Sequence, residues 1–198
     1  MAGHKCFLRL RPSDGALNFE GCMQSMEQGQ FCFITDDYFI IYDKEHKLMR
    51  NKEMVDGKEY GRPCFYAFPD NKNPLILWCV PISSQVDKYM RICNHKLGKQ
   101  RNRGVRVPKC NTIRFGEVMG AKKAFLIQNM FPVTIKYVSE IYINRMTQEA
   151  VRIPQNTEKD IIIHANEVLK LVRSGNRNLI FSDIISTYNE LTAELEQE

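Results

Sequence analysis

The chain has 198 residues and a formal charge of +5; 43% of its residues are hydrophobic, 10% aromatic and 26% charged. This is the make-up of one globular domain with a core of its own, which excludes a disordered tract. Its longest apolar runs, such as Leu75–Ile82, fall far short of the roughly 20 residues a membrane-spanning helix needs. Residues 1–30 contain no apolar stretch of signal-peptide length, so a cytoplasmic protein is expected.

Residues 1–29 show no clean period and carry Met23 and Met26; they read as an N-terminal extension or leader, ahead of a single domain over 30–198. Phe31–Tyr42 begins as a strand that Asp36-Asp37 break, capping a short helical turn near Tyr38. Cys64–Phe68 and Leu75–Ile82 are predicted strands, and Asp70–Pro74 between them is a turn by composition, so 64–82 reads as a β-hairpin. Gly98–Gly104 has no apolar residue and two glycines, and is expected to be an exposed loop. Thr112–Val118, Ala124–Phe131 and Glu140–Ile143 add further strands, the first two joined by Met119–Lys123. So many short antiparallel strands in one stretch suggest a small barrel.

Beyond Pro154 the period changes. Thr157 is a candidate cap, with Asp160 three residues on, for a helix whose apolar stripe is Ile161, Ala165, Val168 and Val172, ending at Arg173-Ser174-Gly175. Ser182 is a candidate cap for a second, with Ile184, Tyr188, Leu191 and Leu195 as its stripe ahead of the acidic tail Glu194–Glu198. Both stripes read as core-facing.

The charge is concentrated. Between Lys88 and Lys123 there are eleven basic residues and one acid, Glu117, so that window carries +10 and the rest of the chain −5. The seven cysteines, at 6, 22, 32, 64, 79, 93 and 110, are widely spaced without a Cys-x-x-Cys pair, which argues against a disulfide framework or a zinc site. Cys32, Cys64 and Cys79 lie in apolar runs and read as buried thiols. The fingerprints of P-loop NTPases, dinucleotide-binding enzymes, serine hydrolases and zincins are missing. His4, His46, His95 and His164 are scattered, and His164 reads as a helix-face histidine. No metal or cofactor is implied.

One segment combines hydroxyls with cations. Ser83 and Ser84 leave the third strand just as the basic window begins, and Arg62, opening the second, would lie near them across the hairpin. Such groups can hold a phosphate. Taken alone, a Ser-Ser pair there reads first as a helix cap, and Arg62 equally as a surface ion-pair partner.

The order Phe33–Tyr38, Gly61–Phe68, Val80–Ser84 and Phe125–Val133, followed by two helices, resembles the endoribonuclease toxins of type III toxin–antitoxin systems. The resemblance is to the ToxN/AbiQ group and its CptN-like branch, over about residues 30–195. It implies an α+β fold: a small antiparallel, SH3-like β-barrel of the PemK/MazF kind with peripheral and C-terminal helices. It further implies a bacterial toxin active against cellular or phage RNA, as in abortive infection. The reaction implied is metal-independent cleavage of single-stranded RNA by 2′-hydroxyl attack, leaving a 2′,3′-cyclic phosphate and a 5′-hydroxyl. The inhibitor implied is a small repeated, folded antitoxin RNA that the toxin processes and that closes with it into a cyclic assembly.

By position, the resemblance carries the motif tyrosine to Tyr38, the strand-opening lysine to Arg62 and the Ser/Thr-Ser pair to Ser83 and Ser84. Two departures follow. The lysine is an arginine here, and the basic residue expected just after the serines is displaced to Lys88, behind Gln85 and Val86. Arginine cannot readily act as a base, so the group that takes the 2′-hydroxyl proton is left open.

RNA contacts are expected from Lys52, Lys88, Lys96, Lys99, Arg101, Arg103, Arg106 and Lys109 through phosphates, with Tyr38, Tyr89 and Arg101 as planes for unstacked bases. The same residues would also serve a non-catalytic RNA-binding module. A thiol or metal enzyme built on the cysteines is a further alternative, and DNA binding a weaker one, because no groove-reading element stands out.

Overall fold

The computed structural model describes residues 26–55 and 57–197. Most of the expected leader, with Cys6 and Cys22, lies outside the described residues, but its last residues do not stand apart from the fold. Met26 packs against the core, and the Gly29 N–H donates to the Tyr66 carbonyl at 2.9 Å.

Strand β1 (Phe31–Ile34) runs into helix α1 (Asp36–Tyr42), as the Asp36-Asp37 break suggested. The capping position, however, is Thr35, which makes no side-chain cap bond; Asp36 Oδ1 instead accepts from Asn51 Nδ2 at 2.6 Å. Strands β2 (Lys52–Val55) and β3 (Lys58–Gly61) form a two-stranded ribbon of their own. Strands β4 (Cys64–Pro69) and β5 (Ile76–Ser83) are the expected hairpin. Asp70 closes its turn by accepting from the backbone N–H groups of Lys72 and Asn73 at 2.9 and 3.2 Å.

Helix α2 spans Val86–Asn102, and this corrects the exposed-loop reading of 98–104. Lys, Gln and Arg are good helix formers, so a polar run without apolar residues can still be the solvent face of a helix. The helix ends at Asn102 with Arg103 as its cap, and Gly104 follows in the left-handed region at φ +78°.

Strands β6 (Arg114–Val118) and β7 (Ala121–Phe125) form a tight hairpin in which Met119 and Gly120 both have positive φ, 50° and 75°. This is the pair of left-handed residues that a two-residue turn matched to strand twist requires. The single strand expected over 124–131 is instead three pieces. β7 ends at Phe125, a 3₁₀ turn occupies Ile127–Asn129, and β8 (Phe131–Thr134) resumes. β9 (Val138–Ile141), α3 (Gln155–Arg173) and α4 (Ile184–Leu195) complete the chain. Thr157 lies inside the first turn of α3 rather than capping it. The cap of α4 is Asp183, whose carboxylate accepts from the Ser186 N–H at 3.1 Å, not Ser182.

The fold is α+β. All strand pairs are antiparallel, and the main sheet runs β6-β7-β5-β4-β1-β9, with β8 paired to the first half of β5 beside β7. It is an open sheet rather than the closed barrel anticipated: among the described residues the two end strands are not joined.

All eight residues of β5 are buried, because helices cover both faces of the sheet. Trp78, Val80 and Ile82 point into one core with Phe65, Phe125 and the α3 stripe Ile161, Ala165, Val168 and Val172. Cys79 and Leu77 point into another with Tyr38, Phe131 and Leu191. This is the two-residue alternation of a strand. A third, smaller core seats α2 through Tyr89 on Ile113, Ala124 and Leu126. The thiols of Cys32, Cys64 and Cys79 are buried, and burial pushes the Cys64 thiol well up. No helix among the described residues is long and apolar enough to cross a membrane.

Candidate active site

The C-terminal end of β5 is where the chemistry-bearing side chains gather. β5 pairs with β4 along one edge and, through Ile82↔Phe125 and Ser83↔Ala124, with β7 on the other. The antiparallel register therefore sets Lys123 opposite Ser84, and Lys123 Nζ donates to Ser84 Oγ at 2.7 Å. Ser83 is buried and accepts from the Gln85 N–H at 3.2 Å, whereas Ser84 is exposed. Neither serine caps α2 with its side chain; the capping position is Gln85.

Arg62 follows β3 and is clamped to the segment that leads into β2. Its backbone N–H donates to the Asn51 carbonyl and its Nη1 to the Arg50 carbonyl, both at 2.6 Å. Asn51 Nδ2 also donates to the Ile34 carbonyl at 3.0 Å, which ties the ribbon to β1. At Gly61, where the ribbon meets β1, a Cβ would come within 3.1 Å of the Phe33 ring, so the absence of a side chain permits this approach.

The ribbon thereby brings Glu53 over the serines. Its carboxylate accepts from Ser83 Oγ and Ser84 Oγ, each at 3.5 Å, and lies 3.8 Å from Arg62 Nη2. The side chains of Arg62 and Glu53 are only 10% and 13% exposed, and the buried Arg62 Nε has no partner among the described residues. Lys123 and Glu53 flank an exposed hydroxyl, with Arg62 behind the carboxylate, and the net positive charge of these three groups is one that a phosphodiester would neutralise. The first turn of α2 begins two residues beyond Ser84, where its dipole favours an anion.

Three of the four residues carried over by resemblance are thus together: Arg62, Ser83 and Ser84. Tyr38 is not with them. It is wholly buried among Phe39, Tyr42, Phe131 and Tyr137, and its hydroxyl donates to the Pro132 carbonyl at 2.6 Å. Burial pushes its hydroxyl far above the usual tyrosine range, so neither stacking with RNA nor proton transfer is open to it.

The basic residues divide similarly. Lys88, Lys99, Arg101, Arg103, Arg106 and Lys109 are exposed along α2 and the segment after it. Gln100 pins that segment by pairing with both the N–H and the carbonyl of Lys109, at 2.9 and 2.7 Å. Lys96 faces inward, donating to Thr112 Oγ1 and Gln128 Oε1 at 2.8 and 2.6 Å, and burial lowers its pKa. It is a structural lysine. Lys52 is exposed but sits between Asp36 and Glu59, at 3.3 and 3.4 Å. Tyr89 is buried against the third core, with Lys88 Nζ 5.6 Å from its ring centroid, so it offers no open plane to a base.

Sequence reasoning missed Glu53 and Lys123. A signal for the first existed: Asp56-Gly57, a hairpin-turn dipeptide, stands between Lys52–Val55 and Lys58–Gly61. Lys123 needed the β5–β7 register, which no local pattern reveals.

A cavity of about 540 Å³ lies elsewhere, between α2, β6 and α3, lined by Cys93, Cys110, Arg114 and His164 among others. Its main polar groups are already engaged. Arg114 holds Asp160 through two bonds of 2.6 and 2.9 Å, and His164 Nδ1 lies 2.8 Å from the Asp160 carbonyl. A scan against protein-family models gives no match, and a search of curated proteins gives none.

Proposed function

We propose that this protein is a metal-independent endoribonuclease, the toxin of a type III toxin–antitoxin system of the ToxN/AbiQ group. It would act in the cytoplasm, on a fold of the SH3-like PemK/MazF kind. The observation that carries the reading is the cluster at the end of β5, where Lys123 Nζ bonds the exposed Ser84 hydroxyl and the Glu53 carboxylate links both serines to Arg62. In-line attack of a 2′-hydroxyl on its own phosphodiester concentrates negative charge on the non-bridging oxygens, and donors already fixed in place stabilise that charge without reorganising. Arg62 supplies a fixed positive charge behind the Glu53 carboxylate, Ser84 a hydroxyl and Lys123 an ammonium. Ser83 acts at one remove, as a positioning residue for the turn into α2.

The exposed cations of α2 extend from this spot. At about 1.5 Å per residue, the helix Val86–Asn102 offers a basic strip that single-stranded RNA can follow by its phosphates. The same strip and cradle would receive the folded antitoxin RNA, which inhibits by occupying them.

The test is cleavage in EDTA of a single-stranded RNA and of the same sequence with every 2′-hydroxyl replaced by hydrogen. Cutting of the RNA alone, leaving 2′,3′-cyclic phosphate ends, is the expected result. Tight binding of RNA without cutting would identify a binding module instead.

A further inference from the structure

We propose that Glu53 is the general base and Lys123 the general acid of the cleavage reaction, acting from the two sides of Ser84. The inference rests on the ribonuclease reading above and deepens it, since neither residue belongs to the motifs that suggested that reading.

Glu53 is distinguished by how loosely it is held. Asp160 and Glu194 are saturated by short bonds: Asp160 from Arg114 at 2.6 and 2.9 Å, Glu194 from Tyr42, Tyr137 and Lys136 at 2.8, 2.8 and 2.7 Å. The contacts of Glu53 are 3.5, 3.5 and 3.8 Å, at or beyond the limit of a useful hydrogen bond. A carboxylate 13% exposed that makes no short bond among the described residues retains lone pairs for an incoming donor, and a ribose hydroxyl fits that need. Burial of the pair keeps bulk water from competing.

Lys123 approaches the same serine hydroxyl that Glu53 does, at 2.7 Å against 3.5 Å. A proton acceptor and a proton donor thus meet at one group that contacts the phosphate, which in-line transesterification requires. Arg62, the other cation of the cluster, cannot release a proton near neutrality, so the acid falls to the lysine.

In the proposed step Glu53 Oε2 takes the 2′-hydroxyl proton as that oxygen forms its bond to phosphorus. The bond from phosphorus to the 5′-oxygen breaks, its electron pair stays on that oxygen, and Lys123 Nζ supplies the proton. The products are a 2′,3′-cyclic phosphate and a 5′-hydroxyl, with Glu53 protonated and Lys123 neutral. Exchange with water restores both.

The test compares wild type, Glu53→Gln, Glu53→Asp and Lys123→Ala on an ordinary oligoribonucleotide and on one whose scissile 5′-oxygen is sulfur, a group that leaves without protonation. Rates are taken at saturating substrate across pH, with melting curves and RNA affinities as controls for folding. Glu53→Gln is expected to lose ~10²–10⁴-fold on both substrates and to lose the fall in rate on the acid side, which Glu53→Asp keeps. Lys123→Ala is expected to lose a similar factor on the ordinary substrate and to recover most of it on the thiolate-leaving one. A Glu53→Gln enzyme with the wild-type acid limb, or a Lys123→Ala defect equal on both substrates, would overturn the assignment and leave the ribonuclease reading intact. A wild-type protein that cuts neither substrate would instead remove that reading.

Discussion

Ser83 and Ser84 are neighbours whose hydroxyls both reach the Glu53 carboxylate, yet Ser83, the last residue of β5, is buried and Ser84, just beyond it, is exposed. That difference in burial makes Ser84 available to a phosphate and leaves Ser83 to hold the Gln85 N–H. The serine pair and Arg62 were legible in the sequence because each belongs to a short local motif and the β4–β5 hairpin that unites them has a clear turn. Glu53 was not, because its position depends on a ribbon anchored by the Arg62 and Asn51 bonds, contacts between residues that show no periodic pattern. Tyr38 shows the opposite error. Its place in a motif suggested chemistry, yet four aromatic rings pack round it and its hydroxyl serves the Pro132 carbonyl. Tyr38→Phe leaves that buried acceptor unsatisfied, so it is expected to cost about 1–3 kcal/mol in urea unfolding while cleavage per folded molecule is retained.

At the scale of elements, Asp70 joins three of them. From the β4–β5 turn it accepts from Trp78 Nε1 at 2.9 Å, from Tyr188 of α4 at 3.1 Å and from Arg173 of α3. Burial raises the Asp70 pKa, but the bonds from Trp78, the Lys72 N–H, Arg173 and the Asn73 N–H outweigh it and pull the group down to about 2. A carboxyl depressed in the folded state contributes stability above its unfolded pKa of ~3.9, and loses that contribution as pH falls toward the folded value. Asp70→Asn is therefore expected to lower stability at pH 7 by about 1.5–3 kcal/mol and to make much less difference near pH 2, as read from urea midpoints at the two pH values. Element types were legible where period and turn signals agreed, as in the β4–β5 hairpin and the stripes of α3 and α4. They failed at Gly98–Gly104, where polarity disguised a helix, and at 124–131, where a 3₁₀ turn lies inside an apolar run.

For the whole molecule, the decisive feature is that +10 of charge between residues 88 and 123 sits on a body of −5, and α2 carries much of it away from the core. Replacing Lys99, Arg101 and Arg103 together with alanine is expected to weaken RNA binding and to flatten the plot of log affinity against log salt by about 2, at ~0.7 for each phosphate of a single strand that is no longer neutralised; anisotropy titrations read both. The α+β class was legible in the order of strands and helices, but the open sheet was not, because pairings such as β1 with β9 join segments about a hundred residues apart in the chain. Local patterning carries no record of such partners. The proposed ribonuclease activity depends on the exposed Ser84 that Lys123 and Glu53 flank, and Ser84→Ala tests it most directly. Wild-type and Ser84→Ala proteins would be incubated in EDTA with a mixed single-stranded RNA and the ends mapped. Cleavage by the wild type to cyclic phosphate ends, slowed ~10²–10³-fold in the variant at unchanged melting temperature, is the predicted result; equal cleavage by both proteins would contradict it.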